Sequence, residues 1–289
     1  MASRNHFSHR VQQYGKNPEV LHAEGCTLLV AGEAMDEQEA EDQERYTDPG
    51  AAPYGNFPNY YSFNPPENRV SLVPPGFLSN LLQKSGVSPS PILCLDVGCN
   101  SGDLSVAFYK HLQPCEPSDE PMDVHFLCCD IDADLIDKAQ ASNPFPKSIS
   151  YVTSDIMDSS DPGGPIRNFL DGFNRSTFDL GFCMSITMWI HLNHGDQGLI
   201  DFLNRVTKFC DYLLIEPQPW KCYRQAARRL RKLGRPDFDH FHTLSIRGNM
   251  AKRITSMLTH GGNAKLIHRF GTTNWGRSLL LFQVNRPAK

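Results

Sequence analysis

The sequence predicts an α/β fold, a doubly wound and mostly parallel sheet with its ligand at the carboxyl ends of the strands. Three observations predict it. Short, nearly continuous apolar runs recur after Pro91, stretches of helical periodicity separate them, and several runs end on a glycine or an acid. Apolar runs of that kind suit strands buried on both faces, and a helix between two strands lets them lie parallel.

The elements follow in order. Ile92 to Val97 is apolar except for Asp96 and stops at Gly98; Leu104 to Leu112 has helical spacing. Val124 to Cys129 ends at Asp130, and Leu135 to Ala141 is helical. Ile149 to Val152 ends before Asp155, and Phe178 to Met184 is the next strand. Leu199 to Phe209 is helical, Tyr212 to Ile215 ends at Glu216, and a basic helix runs from Trp220 to about Leu233. Two late strands are expected at Lys265 to Phe270 and Leu279 to Val284.

With 289 residues, 40% hydrophobic and 21% charged, the chain can bury one sizeable core. No apolar run approaches the roughly 20 residues of a membrane helix, and Met1 to Gly15 has no apolar stretch of the secretory type. Nine cysteines are scattered, with no CxxC pair. That usage predicts reduced thiols in the cytoplasm and no zinc knuckle; adjacent Cys128 and Cys129 read as core. Residues 1 to 50 hold ten acids against four bases, so they carry −6 and the remainder +2. The sequence therefore divides into an acidic, disordered tail over residues 1–49 and one domain over 50–286. The domain is entered through an irregular segment over 50–90, rich in Pro, Gly and Tyr. A monomer is expected.

Leu95-Asp96-Val97-Gly98-Cys99-Asn100-Ser101-Gly102 closes the first strand and opens a helix. Gly98 allows a tight turn and close approach of a ligand to backbone. The G-x-G-x-x-G spacing of dinucleotide sites is absent. Asp96 would repel a pyrophosphate but welcome a cationic amino-acid group. S-adenosylmethionine carries an ammonium, a sulfonium and no phosphate, and so fits. Asp130, ending the second strand, is placed to accept ribose hydroxyls, as is Asp132, which reads equally as a helix cap. Asp155 is a candidate for the adenine edge or an ordinary loop acid; Met184 lines the adenosine or methionine part, and Asn100 the amino-acid end.

Together these motifs resemble those of class I S-adenosylmethionine-dependent methyltransferases. Ser185-Ile186-Thr187-Met188-Trp189-Ile190-His191-Leu192-Asn193, then Glu216-Pro217-Gln218-Pro219-Trp220, narrow the match. With Tyr54-Gly55-Asn56-Phe57, Tyr60-Tyr61 and Arg69, they resemble the bicoid-interacting family of RNA 5′-phosphate methyltransferases over about residues 50 to 286. The resemblance implies a 5′-monophosphate RNA substrate, with cytoplasmic histidine tRNA and precursor microRNAs as candidates. It implies Arg69, Asn100, Asp130, Asp155, Ile156 and Met184 as cofactor contacts. Small-nuclear-RNA capping relatives have a lysine where Met188 stands, so Met188 is a candidate for limiting the pocket to a monophosphate.

A phosphate oxygen is already an anion at pH 7, so transfer to it needs positioning more than a base. Candidate phosphate donors are Tyr54, His191, Asn193, Gln218 and Lys221, although His191 reads equally as a packed core histidine. Trp189 is core or a wall for the first base; Glu216 orients a donor or is structural; Tyr60 and Tyr61 form a lid or pack. Arg224, Arg228, Arg231 and Arg235 recur at three- or four-residue spacing and form one stripe, expected to meet RNA phosphates rather than merely to be solvated. His240 and His242 make a weak metal site, and none is expected. Competing readings are a small-molecule or protein methyltransferase, an idle RNA-binding module and, remotely, a nicotinamide oxidoreductase.

Overall fold

The computed structural model describes residues 52–84, 91–114, 120–158 and 164–286. The acidic tail expected over residues 1–49 lies outside them. Within the segment expected to be irregular, three short helices form: α1 (Tyr60–Phe63), α2 (Glu67–Val70) and α3 (Phe77–Lys84). Pro66 is the N-cap of α2, where a missing N–H costs nothing.

Seven strands form one sheet in the order β3-β2-β1-β4-β5-β7-β6. They are β1 (Ile92–Val97), β2 (Val124–Asp130), β3 (Ile149–Thr153), β4 (Phe178–Met184), β5 (Cys210–Glu216), β6 (Ala264–Thr272) and β7 (Ser278–Val284). The first five are parallel; β7 runs antiparallel to both β5 and β6. Helices α4 (Asp103–Leu112), α5 (Ala133–Ala141), α6 (Gly164–Gly172) and α7 (Thr187–Phe209) connect the parallel strands, and α8 (Trp220–Lys232) and α9 (Met250–Thr259) follow β5.

All of β4 is buried, including Asp179, which accepts from the Leu93 N–H at 2.7 Å and from Arg175 at 2.7 Å. The sheet pleat sends alternate residues to opposite apolar layers. Cys128 packs with Phe108 and Phe182, whereas Cys129 packs with Phe178 and Phe202 on the other face. Adjacent thiols on opposite faces cannot share a ligand, so the pair is core. Each fully buried Leu or Phe in these layers contributes roughly 1.5–3 kcal/mol.

The strand order reverses between β1 and β4, which opens a crevice at their carboxyl ends. The antiparallel β7 has a second consequence. Leu280 pairs with Ile215, so the β6–β7 turn lies at the same end of the sheet, beside Glu216.

Candidate active site

A cleft of about 850 Å³, open to solvent at its mouth, occupies that crevice. Its floor is the loop after each of the first four strands, and its roof is the segment from Tyr54 to Arg69.

The loop after β1 turns on three left-handed residues, Gly98 (φ 77°), Asn100 (φ 51°) and Gly102 (φ 81°). The left-handed φ at Gly98 strains any side chain, and a Cβ there would also press on Ile186 Cδ1 at 2.8 Å. The Asn100 N–H donates to Asp130 Oδ2 at 2.9 Å, and its amide donates to the Phe57 carbonyl at 3.1 Å. One residue thus ties β1, β2 and the roof together. Burial pushes the Asp130 carboxyl up, while N–H groups of Asp132 and Asn100 favour its ionised form. Asp132 caps α5 through Asp134 and Leu135, and its second oxygen accepts from Asn56 Nδ2 at 2.6 Å. Asn56 Oδ1 is buried in the cleft wall without a partner among the described residues. A buried orphan acceptor calls for a donor that a ligand brings. Asp155 accepts from the Met157 N–H at 2.8 Å and lines the cleft beside Ile156 and Met184.

Arg69 closes the opposite end. It is fully buried and forks onto Glu216 Oε2, with Nε at 3.0 Å and Nη2 at 2.9 Å. Nη2 also donates to Ser185 Oγ at 3.1 Å and to the Tyr60 hydroxyl. Its guanidinium lies 4.8 Å from the Trp275 ring, and the Trp275 indole N–H donates to the other Glu216 oxygen at 3.0 Å. Burial alone would lower the Arg69 pKa, but Tyr60 and Glu216 hold it firmly charged. Glu216 is therefore structural in its contacts: it is fully buried, orients an arginine and is not among the lining residues of the cleft.

These residues fit S-adenosylmethionine. Asp130 offers acceptors to a ribose, Asn56 Oδ1 an acceptor to a hydroxyl or amino donor, Ile156 and Met184 apolar walls, and Arg69 a cation to a carboxylate.

Several expectations need correction. Asp96 is buried, accepts from Ser105 Oγ at 2.6 Å and is not a lining residue. It sits one residue before Val97, which does line the cleft, so the pleat turns it to the back. His191 is completely buried, bonded to Asp196 at 2.7 Å and Tyr223 at 3.1 Å; it ties α7 to α8 and cannot reach a phosphate. His194 lines the cleft instead. Asn193 is in the wall, but its amide nitrogen serves the carbonyls of Pro53 (2.8 Å) and Trp189 (2.9 Å). Gln218 is buried and bonds Ser185, Thr187 and Met188. Met188 is a core side chain outside the cleft, so it does not face a phosphate. Lys221 is exposed on α8 and is not among the lining residues. Tyr54, half exposed at 47%, is in place at the mouth. Tyr60 and Tyr61 both line the cleft, and Tyr61 donates to the Cys99 carbonyl at 3.2 Å.

On α8, Arg224, Arg228 and Arg231 are exposed, as the stripe requires. Arg235 is exposed but off the helix, because Gly234 (φ 67°) ends it with a left-handed turn. Arg229 faces inward, 4.3 Å from the Phe57 ring, and burial pushes its pKa down to about 10. Among the described residues, no group of three His, Cys, Asp or Glu could hold a metal ion.

The sequence reading missed His194, the orphan acceptor on Asn56, and the hairpin residues Trp275 and Arg277. Only Asn56 carried a signal, inside the aromatic Tyr54–Phe57 motif.

The model of the bicoid-interacting protein 3 (Bin3) family matches residues 178–284. A Xenopus laevis protein named pre-miRNA 5′-monophosphate methyltransferase is 66% identical over 83% of this chain and 96% of its own length. The chain belongs to the Bin3 family. Other relatives are the RNA 5′-monophosphate methyltransferase of Homo sapiens, 52% identical over 88% of each chain, and a pre-miRNA 5′-monophosphate methyltransferase of Danio rerio, 51% identical over 83% of this chain and 95% of its own. The solved N-methyltransferase NodS of Bradyrhizobium japonicum WM9, in complex with S-adenosyl-L-homocysteine, is similar at 14% identity with a TM-score of 0.49, covering 86% of this chain and 98% of that one. The Bin3 match begins at β4, so it takes in Ser185, His194, Glu216 and the β6–β7 turn, but not the glycine turn at Gly98.

Proposed function

We propose that this Bin3 protein is a methyltransferase that uses S-adenosylmethionine to methylate the 5′-monophosphate of RNA. The observation that carries the reading is the 66% identity to a pre-miRNA 5′-monophosphate methyltransferase over 96% of that protein's length. The cleft agrees with it: acceptors and an arginine fit the cofactor deep in the crevice, and donors stand at the mouth.

When bound, S-adenosylmethionine supplies a methyl group made electrophilic by a positive sulfur. Asp130 and Asn56 would hold its ribose end, Asp155, Ile156 and Met184 would line the side of its base, and Arg69 with Asn100 would hold the amino-acid end. The attacking phosphate oxygen is anionic at neutral pH, so the chain holds no proton for it and needs no general base. What the chain contributes is orientation and charge. Tyr54 and His194, both exposed at the mouth, are the donors we assign to the remaining phosphate oxygens. Arg224, Arg228 and Arg231 steer the RNA behind that end, each contact adding to the salt dependence.

Precursor microRNA and histidine tRNA are the substrates we assign, in the cytoplasm, with the protein working as a monomer. Cys94, Cys99, Cys128, Cys129, Cys183, Cys210 and Cys222 are free thiols, as suits a reducing compartment.

The test is incubation with labelled cofactor and matched RNAs bearing a 5′-hydroxyl, monophosphate or triphosphate. Label should enter chiefly the monophosphate RNA. Equal labelling of all three ends would favour a different acceptor, and no cofactor binding at all would favour an idle RNA-binding module. Histidine tRNA set against a second 5′-monophosphate tRNA tests the tRNA assignment.

A further inference from the structure

Arg277 sits in the turn between β6 and β7 and reaches into the Arg69 corner. Its Nη1 donates to Ser185 Oγ at 2.6 Å and to the Tyr60 hydroxyl at 3.3 Å. Arg69 uses the same two oxygens. Two guanidiniums therefore share two neutral hydroxyls, and both of those hydroxyl residues line the cleft. Of the acids among the described residues, Glu216 alone touches this group, and its two oxygens are already engaged by Arg69, Ser185 and Trp275. Asp96 feels Arg69 through space but is turned to Ser105. Burial by itself would lower the Arg277 pKa, yet Tyr60 and Glu216 hold it charged, against repulsion by Arg69. Its Nε is buried with no acceptor among the described residues.

Two like charges side by side, Arg69 fully buried and Arg277 half-buried, are costly over one carboxylate unless something balances them. The cost persists only where the surroundings force the arrangement, and here the hairpin does. The Thr273 N–H donates to the Arg277 carbonyl at 2.9 Å, the Gly276 N–H to the Thr273 carbonyl at 2.8 Å, and Trp275 is pinned to Glu216. The corner is thus pre-arranged with one positive charge in excess of Glu216, at the end of the cleft away from Asp130.

We infer that the β6–β7 turn is a recognition device for the cofactor's carboxylate, in which Arg277 supplies the surplus charge and Trp275 holds Arg69 in register. Both are positioning residues: Arg277 acts through Ser185, Tyr60 and the shared field, and Trp275 acts through Glu216. The device selects a nucleoside thioether that carries an amino-acid carboxylate over one that lacks it. This rests on the reading of the cleft as the S-adenosylmethionine site.

The probes are S-adenosylhomocysteine, which has the carboxylate, and 5′-methylthioadenosine, which does not. Calorimetry on the full-length protein should show wild type preferring the first. In Arg277→Gln the affinity for S-adenosylhomocysteine should fall about tenfold, with that for 5′-methylthioadenosine unchanged, while Arg277→Lys should recover most of the preference. Trp275→Phe, which keeps the ring and loses the N–H, should fall by a smaller factor in the same direction. Equal losses for both probes, or none, in a variant that melts as wild type does, would overturn the inference. If Arg277→Gln does not fold, an Arg277→Lys protein that loses the preference although the charge is kept would overturn it as well. Failure of wild type to bind either probe would instead overturn the cofactor reading.

Discussion

A Cβ placed on Gly55 would lie 2.1 Å from Cε2 of Trp189. The roof of the cleft is therefore seated directly on the first turn of α7, with backbone against indole. Phe57 meets the same indole edge-on at 6.1 Å, and the Asn193 amide holds the Pro53 carbonyl.

The Gly55→Ala variant follows from that contact. Gly55 has φ 76°, which costs a side chain roughly 1–2 kcal/mol before any clash. The added methyl must also displace Trp189 and lift the roof. Affinity for S-adenosylhomocysteine should drop by about tenfold or more, read by calorimetry, with the sheet's far-UV signal intact.

Glu216→Gln should be severe. It leaves the buried guanidinium of Arg69 without its bonded carboxylate. Removing one partner of a buried pair costs about 3–5 kcal/mol, so thermal melting should move down by roughly 10 °C. A shift under a degree would show that Glu216 is dispensable.

The two histidines should separate cleanly. His191→Ala strips Asp196 and the Tyr223 hydroxyl of a partner and should cost about 1–3 kcal/mol of stability. His194→Ala should leave melting unchanged and raise KM for 5′-monophosphate RNA about tenfold, the order expected for one bond to a charged group. The reverse pattern in steady-state kinetics and melting would restore His191 to the site.

Asp96 predicts a pH signature. Burial pushes its carboxyl up to about 6, partly offset by the bond from Ser105. The folded state then holds the proton more tightly than the unfolded chain, so ionisation is penalised. The penalty is absent below about pH 4 and complete above about pH 6. Wild-type stability relative to Asp96→Asn should therefore fall as pH rises through that window, by at most roughly 3 kcal/mol. Denaturant titrations that give a constant difference from pH 4 to 7 would contradict it.

The basic helix gives a salt-dependent readout. Arg231 is partly engaged by Asp237 at 3.1 Å, so Arg224 and Arg228 are the better pair to remove. Arg224→Ala with Arg228→Ala should weaken RNA binding for all sequences alike and flatten the salt slope by up to about 2. An unchanged slope would make the stripe a solvated face.

Much of this protein was legible in one dimension. The apolar runs from Ile92 and Phe178 became strands with the expected bounds, because burial on both faces needs unbroken hydrophobicity. Gly98, Asn100 and Asp130 reached the cleft because a strand's carboxyl end in a doubly wound sheet always faces the crevice. Other elements were less visible. The first half of α7 is missing from the periodicity because Gly195 interrupts it with φ 70°.

Sequence alone thus determined the parallel sheet, the glycine turn, the acceptors that follow β1 to β3, and the aromatic motif that roofs them. Each depends on which residue types stand next to one another. Tertiary structure decided the rest. The pleat turned Asp96 to the back of the sheet, and helix phase buried His191 while it left His194 in the wall. The antiparallel course of β7 carried Trp275 and Arg277 to Arg69, more than 200 residues away. Strand direction and side-chain phase are settled by long-range pairing and packing, which no local pattern encodes.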